Sequence, residues 1–401
     1  MQLRGENEFV ARVPLRWFTV ILTFLIWALS SSAVVAQEEE EPKFTLNGYM
    51  KQLTSLFSYD LADEYSLDIL LHNRLNSKWY ISKNWTLTAE LRTRMFLGDQ
   101  VKLTPGYGDL IDLGSNDWLD MSALLVNDDK VVLHSYFDRL YMEYTSGSWE
   151  VRLGRQRINW GQTTNWNPND IFNAYQFTDF DYEERPGSDA LRIRKYYGYS
   201  SSIEVAFSPA DSFAYSTAAM MWRFNKGTYD IQLLGGIVAR DIVVGAGWAG
   251  NIKNAGFKGE MSFFTPLDDD RKNAFSMALN FDYVFNWGMY WNVGVLYNSE
   301  GSGSAGFLDL FNTTLSARNL YPYRWSVMSL HSGQVSPLVN LALVLVYSPV
   351  KANALFAGPT VTVSIASNWD LDIVSQVLFE SEQGKYRSPL QAYFVRVKHS
   401  F

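Results

Sequence analysis

From Phe44 to Phe401 apolar and polar side chains alternate, in runs of about ten residues separated by short polar breaks. In Trp85–Met95, Leu87, Ala89, Leu91 and Met95 share one parity, while Thr86, Thr88, Glu90, Arg92 and Arg94 share the other. Arg139, Tyr141 and Glu143 alternate in the same way with Leu140, Met142 and Tyr144, and Arg192 and Arg194 with Leu191 and Ile193. Near the end, Tyr393, Val395 and Val397 oppose Arg396 and Lys398. Successive side chains of a strand point to opposite faces, so this period of two predicts β-strands with one apolar and one polar face. Eighteen strands are expected, over 44–58, 68–80, 85–96, 130–144, 149–160, 188–197, 201–208, 213–224, 228–239, 242–250, 254–264, 274–285, 289–299, 323–333, 338–348, 354–366, 369–380 and 389–401. Merging one weak hairpin would leave sixteen.

Short turns such as Ser82-Lys83-Asn84, Thr145-Ser146-Gly147-Ser148, Asn225-Lys226-Gly227 and Ala366-Ser367-Asn368 join strands in pairs. Their Asn, Gly and Ser content is that of tight hairpins. Other connections are long, near 97–129, 161–187 and 300–322. A soluble sandwich or propeller would bury its apolar faces between sheets, but eighteen such faces exceed what one soluble core absorbs. The 14 Trp, 23 Tyr and 25 Phe fall near strand ends, as in Trp79, Tyr80, Trp85, Tyr144, Trp149, Trp222, Trp291 and Trp369, where interfacial girdles would lie. The expected fold class is all-β: a transmembrane antiparallel up-and-down β-barrel over 44–401, with both termini on the periplasmic side and the long loops extracellular.

Residues 1–36 have the form of a secretory signal. Arg4, Arg12 and Arg16 precede the apolar run Trp17–Leu29, and Val34-Val35-Ala36 offers a cleavage site before Gln37. That run is shorter than the ~20 residues of a spanning helix. Residues 37–43 form an acidic linker containing four consecutive Glu, 38–41.

Composition narrows the chemistry. The 401 residues contain no Cys and four His, and carry a formal net charge of −8. Disulfides, thiolate nucleophiles and Cys-ligated metals are excluded, the scattered His give no zinc pattern, and the charge argues against nucleic acid. We expect no cofactor and no metal. A calcium site from Asp179, Asp181 and Glu183 would be spaced unlike an EF-hand. His134-Ser135 and His331-Ser332 are sequence neighbours, which a strand sends to opposite faces, and GxSxG does not occur. No enzyme is expected.

With the polar face inward, Arg74, Arg92, Arg94, Arg139, Arg152, Arg192 and Arg194 line a pore, accompanied by Glu90, Glu143 and Glu150. Such a patch either sets ion selectivity or forms a salt-bridged lattice that stiffens the wall. Arg155 and Arg157 share the parity of the apolar Val151 and Leu153, and a charge facing lipid costs about 2–4 kcal/mol at depth. A β-bulge at Gly154 would return both to the pore. The segment that follows is rich in Trp, Asn, Tyr and acid, which suits a loop folded into the pore as a constriction. Trp160, Trp166, Asn167, Asp170, Tyr175, Asp181 and Tyr182 are its candidate residues. Asn167–Asp170 would equally serve as a turn or a capped helix start.

Gly154-Arg155-Gln156, Trp160-Gly161, Asn167–Phe172 and Pro186–Arg192 resemble the central motif of porin-like outer-membrane barrels of Gram-negative bacteria, a group that includes alginate-export-type barrels and uncharacterised porin-like families. Terminal Phe401, in step with Tyr393, Val395 and Val397, resembles the signal read by the barrel-assembly machinery. The polymer-binding residues of the alginate exporter are not matched. The resemblance implies an outer-membrane location and a channel for small hydrophilic solutes, anionic or sugar-like. A closed structural or surface-binding barrel, a polysaccharide-export barrel and an outer-membrane hydrolase are the alternatives. Outer-membrane lipid, the assembly machinery and the solute are the expected partners.

Overall fold

The computed structural model describes residues 42–59, 64–113, 117–173, 186–198, 200–268, 271–303, 315–351, 353–382 and 384–401. Its strands are β1 (Phe44–Tyr59), β2 (Glu64–Tyr80), β3 (Trp85–Gly98), β4 (Ser122–Asp128), β5 (Val131–Ser146), β6 (Trp149–Gln156), β7 (Ser188–Tyr197), β8 (Ser201–Ser208), β9 (Thr217–Lys226), β10 (Tyr229–Val238), β11 (Asp241–Ile252), β12 (Ala255–Pro266), β13 (Ala274–Val284), β14 (Tyr290–Asn298), β15 (Trp325–Ser336), β16 (Val339–Ser348), β17 (Ala354–Ala366), β18 (Trp369–Glu382) and β19 (Lys385–Ser400). Two short helices, α1 (Asp99–Leu103) and α2 (Tyr107–Leu113), lie between β3 and β4.

Leaving β4 aside, eighteen strands pair antiparallel in sequence order, β3 directly with β5, and β19 returns to β1 to close the barrel. At the seam, Gly48 and Phe401 exchange backbone hydrogen bonds of 2.9 and 3.0 Å. Closure removes the unpaired edges that a membrane would not tolerate. The eighteen correspond one to one with the strands expected from period two. β4 was not expected. It pairs with Val131–Tyr136 of β5, the stretch of edge left open because β6 stops at Gln156.

The burial pattern is inside out. In β8, Ser202, Glu204, Ala206 and Ser208 are buried while Ile203, Val205 and Phe207 are exposed. In β6 the large apolar Leu153 is 62% exposed. A water-soluble sheet would reverse this; lipid around the wall accounts for it. Exposed Trp79, Trp85, Trp149, Trp222 and Trp291 ring the end with the short turns, and Tyr59, Tyr65, Trp325, Tyr347 and Tyr386 ring the end with the long loops. At the turn end, Gly147 (φ 56°) and Asn368 (φ 64°) take the left-handed conformation that tight hairpins need.

The expected bulge is not at Gly154. Both registers of β6 run unbroken through that residue. Gly154 has φ 119°, and a Cβ there would lie 2.3 Å from the Leu140 carbonyl oxygen, so only glycine fits. The register shift lies instead in β5, where Glu90 pairs with Arg139 and Leu91 with Phe137, so that the consecutive residues Asp138 and Arg139 are both buried.

Candidate functional site

Two features dominate the inner face: an arc of charge on β1–β3 and β5–β8, and a chain segment that leaves the wall after β6 and crosses the interior.

On the charged arc, Arg74 of β2 ion-pairs with Asp138 and Glu90, and its Nε donates to Asn76 Oδ1 at 2.8 Å. Arg92 of β3 reaches the same Asp138 carboxylate at 2.6 Å. Arg139 donates to the Asp138 carbonyl at 2.7 Å. Further round, Arg152 contacts Glu143 and, at 3.1 Å, Glu150; Arg192 also pairs with Glu150, and Arg194 with Glu204. Tyr196 joins Glu150 to Arg194 through two 3.0 Å hydrogen bonds. Ion pairs therefore run along most of the arc. Arg74, Arg92, Arg139 and Arg192 are buried in the lattice, whereas Glu90, Arg94, Glu143, Arg152 and Arg194 keep partial exposure.

Arg155 belongs to neither description. It makes a bidentate pair with Asp189 (2.9 and 2.9 Å), and its guanidinium also donates to the carbonyls of Phe137 and Leu119. This joins β5, β7 and the segment entering β4 at the point where β6 ends. Arg157, one residue past β6, is half-buried.

Strand register adds four residues that the sequence reading did not place on the pore wall, Lys51, His72, His134 and Lys398, and joins them to Arg94. Lys398 of β19 lies opposite Lys51 of β1, Lys51 opposite His72 of β2, His72 opposite Arg94 of β3, and Arg94 opposite His134 of β5. Five basic side chains thus form one row across five adjacent strands. Lys51 and Lys398 sit 5.2 and 4.9 Å from the centre of the Tyr49 ring, and Arg94 sits 5.0 Å from that of Tyr136. His134 contacts Asp112 of α2 at 3.1 Å, while Ser135 bonds Thr93 instead. The residues are scattered from 51 to 398, so only the pairing brings them together. Their shared inward parity was the available signal.

The crossing segment, 157–173, lies against β7–β12 and β14. Trp160 is fully buried; its indole N–H donates to Glu204 Oε1 at 2.6 Å and its carbonyl accepts from Gln232 Nε2 at 2.7 Å. The anchor is Glu260 of β12, fully buried. Oε1 accepts the backbone N–H groups of Gln162 and Thr163, the Thr163 hydroxyl and the Asn167 amide, and Oε2 accepts the Asn169 N–H at 3.0 Å. Asn165 bonds Asn292 at 3.0 Å, and Asp170 accepts the Trp160 N–H at 3.4 Å. Glycines make room: a Cβ at Gly245 would lie 2.7 Å from Asn169, and one at Gly294 2.7 Å from Asn165. Ile158, Trp160 and Ile171 pack on Ala190, Ala206, Ala219 and Met221, and Trp166 packs with Tyr321 and Tyr323 on Leu296 and Met328. Trp160, Trp166, Asn167 and Asp170 are thus all held against the inner face. Tyr175, Asp181 and Tyr182, with Asp179 and Glu183, lie outside the described residues. Among the described residues no group of three or more His, Asp or Glu could hold a metal. Glu260 was missed because a single Glu in one strand carries no motif.

The chain matches no family model and no curated protein. Solved structures do match it. OccK5 (OpdH) of Pseudomonas aeruginosa superposes with a TM-score of 0.59 at 7% identity, over 90% of this chain and 98% of that one. OccK11 (OpdR) of the same organism gives 0.55 at 9%, over 92% and 100%. OpdK of P. aeruginosa, solved with vanillate, gives 0.53 at 11%, over 89% and 99%. The fold is that of these barrels over their whole length.

Proposed function

We propose that the protein is an outer-membrane channel for passive passage of small hydrophilic solutes, anionic or sugar-like, with anions preferred. The observation that carries this reading is the set of partly exposed cations on the inner wall of a closed barrel, Arg94 and Lys398 in the cross-strand row and Arg152 and Arg194 further round. Fixed cations along a water-accessible wall attract anions and repel cations. The partly exposed Arg94, Arg152 and Arg194, with Glu90 and Glu143, would line the path. The 157–173 segment would form its constriction. That OpdK was solved with vanillate, an aromatic carboxylate, makes vanillate a reasonable first probe. In the same reading, residues 1–36 direct export in a Gram-negative cell and are removed, the 37–43 linker precedes the 44–401 barrel, Phe401 is read by the assembly machinery, and the wall has no catalytic role.

The buried Arg74–Asp138–Arg92 lattice favours a second reading, a closed barrel stiffened by ion pairs. Planar-bilayer recording of the refolded mature chain separates the two. A steady conductance with a reversal potential on the anion side in a salt gradient is expected. Silence from a folded, heat-modifiable barrel would support the closed form.

A further inference from the structure

The bulge in β5 adds a residue to a wall strand at one place among the basic side chains. Along β5 the inward positions run His134, Tyr136, Asp138 and then, without an intervening outward residue, Arg139. The extra residue brings a carboxylate between two arginines of adjacent strands, Arg74 of β2 and Arg92 of β3, which are themselves direct cross-strand partners. Like charges directly opposite on a sheet repel. Asp138 accepts from both, and all three side chains are at most 4% exposed. Two positions up β3, Arg94 shares the same parity, remains partly exposed and lies against Tyr136 rather than Asp138.

We infer that Asp138 is a positioning and specificity-determining residue that holds Arg74 and Arg92 flat against the wall and thereby sets how much positive charge reaches the solute path. The inference rests on the channel reading above. It assigns the bulge a purpose: without the added residue, Arg74 and Arg92 would face each other without the carboxylate that both share, and their repulsion would press them toward water. It also divides the arginines into a held pair and an acting one.

The test uses the full-length mature barrel, with heat-modifiability as the check on folding and the anion-to-cation permeability ratio as the readout. Asp138→Asn removes one negative charge and takes from Arg74 and Arg92 the carboxylate that both share, Arg74 keeping Glu90 and Asn76. Asp230→Asn, on the inward parity of β10 near the turn end, removes the same charge and releases no arginine. The ratio is expected to rise about twofold or more in Asp138→Asn and clearly less in Asp230→Asn. The charge-neutral pair Arg74→Gln with Asp138→Asn is expected still to exceed the parent, because Arg92 is freed, and Asp138→Glu is expected to stay near it. A cycle sharpens this: Arg92→Gln alone leaves selectivity close to the parent, but lowers it strongly in the Asp138→Asn background. Equal shifts in Asp138→Asn and Asp230→Asn, or an additive cycle, would overturn the proposal. If Asp138→Asn does not fold, a large loss of anion preference in Arg92→Gln alone does the same, since a held arginine should not matter there. A parent barrel that never conducts rejects the channel reading itself.

Discussion

The strands β2, β3 and β5–β8 and the strands β14–β17 are built on the same alternation, yet only the first group carries charge inward. β14–β17 contain no Asp, Glu, Lys or Arg at all. Their inward positions are Asn, Ser, Thr and small or apolar groups, and part of that face is covered by 157–173 and by Tyr321 and Tyr323. Alternation therefore fixes which side of a strand is wet, and says little about the electric field there. A neutral arc can bond a crossing segment through amides such as Asn292 without repelling it. A charged arc must first settle its own repulsions, and Asp138, Glu143, Glu150 and Glu204 do so. The two arcs meet at Glu204, which pairs with Arg194 on one side and takes the Trp160 indole N–H on the other.

Removing the anchor of the covered arc should have the largest effect. Glu260→Ala leaves the donors of Gln162, Thr163, Asn167 and Asn169 without their shared acceptor, and each buried unsatisfied group costs about 1–3 kcal/mol. A lower thermal midpoint, together with larger and noisier single-channel conductance, is the expected outcome. Unchanged conductance would mean that the segment does not narrow the path. A smaller change should follow in the charged arc. Arg94→Gln is expected to move the reversal potential toward cations by an amount equivalent to about twofold in permeability ratio, with conductance nearly preserved. A null result there would take Arg94 out of the solute path and leave the arc structural.

The smallest effect concerns the border where β6 leaves the sheet. Asp117, in the segment leading into β4, accepts the Asp189 backbone N–H at 2.8 Å. Burial pushes its carboxyl above the usual carboxylate range; the Asp189 charge adds to the rise, while the Asp189 N–H and Arg155 oppose it. A carboxyl raised on folding favours the protonated folded state, so its contribution is fully present below the ordinary carboxylate range and is lost as pH rises through the raised value. Asp117→Asn keeps the acceptor and removes the titration. Proteolysis of the 117–121 segment should accelerate in the parent as pH rises above the ordinary carboxylate range and stay flat in the variant; parallel profiles would show that Asp117 does not tie this border to pH.

Much of this architecture was legible from period two alone. Every long strand from Phe44 onward was expected within a few residues, because lipid outside and water inside make the two faces chemically distinct at each step. What escaped notice depends on pairing between distant strands. β4 is short, polar at its end and enclosed in a long connection, and it is a strand only because β6 vacates the β5 edge. The bulge was expected at Gly154, but the β6 register runs unbroken there: Arg155 keeps the parity of Leu153 and is satisfied by Asp189 and the Leu119 carbonyl instead, while the shift lies at Asp138. Its trace was present in the sequence as two inward series, His134-Tyr136-Asp138 and Arg139-Tyr141-Glu143, that meet without a gap. The basic row needed register across the β19–β1 closure, which no local pattern encodes. Trp160, Trp166, Asn167 and Asp170 could be picked out because the crossing segment concentrates unusual residues; Glu260, their shared support, could not.

The shared grip of Glu260 on Gln162, Thr163 and Asn169 also has a bearing on the order of events during folding. These contacts join residues about a hundred positions apart, whereas the β4–β5 hairpin turns within a few residues. Closing a long loop costs entropy before any contact repays it, so the hairpin that patches the wall can form while the interior is still empty. The crossing segment can settle only after β12 has been laid down and brought opposite it. The wall therefore precedes its lining: the segment held by Glu260 is set in place only after the strands that carry it have paired.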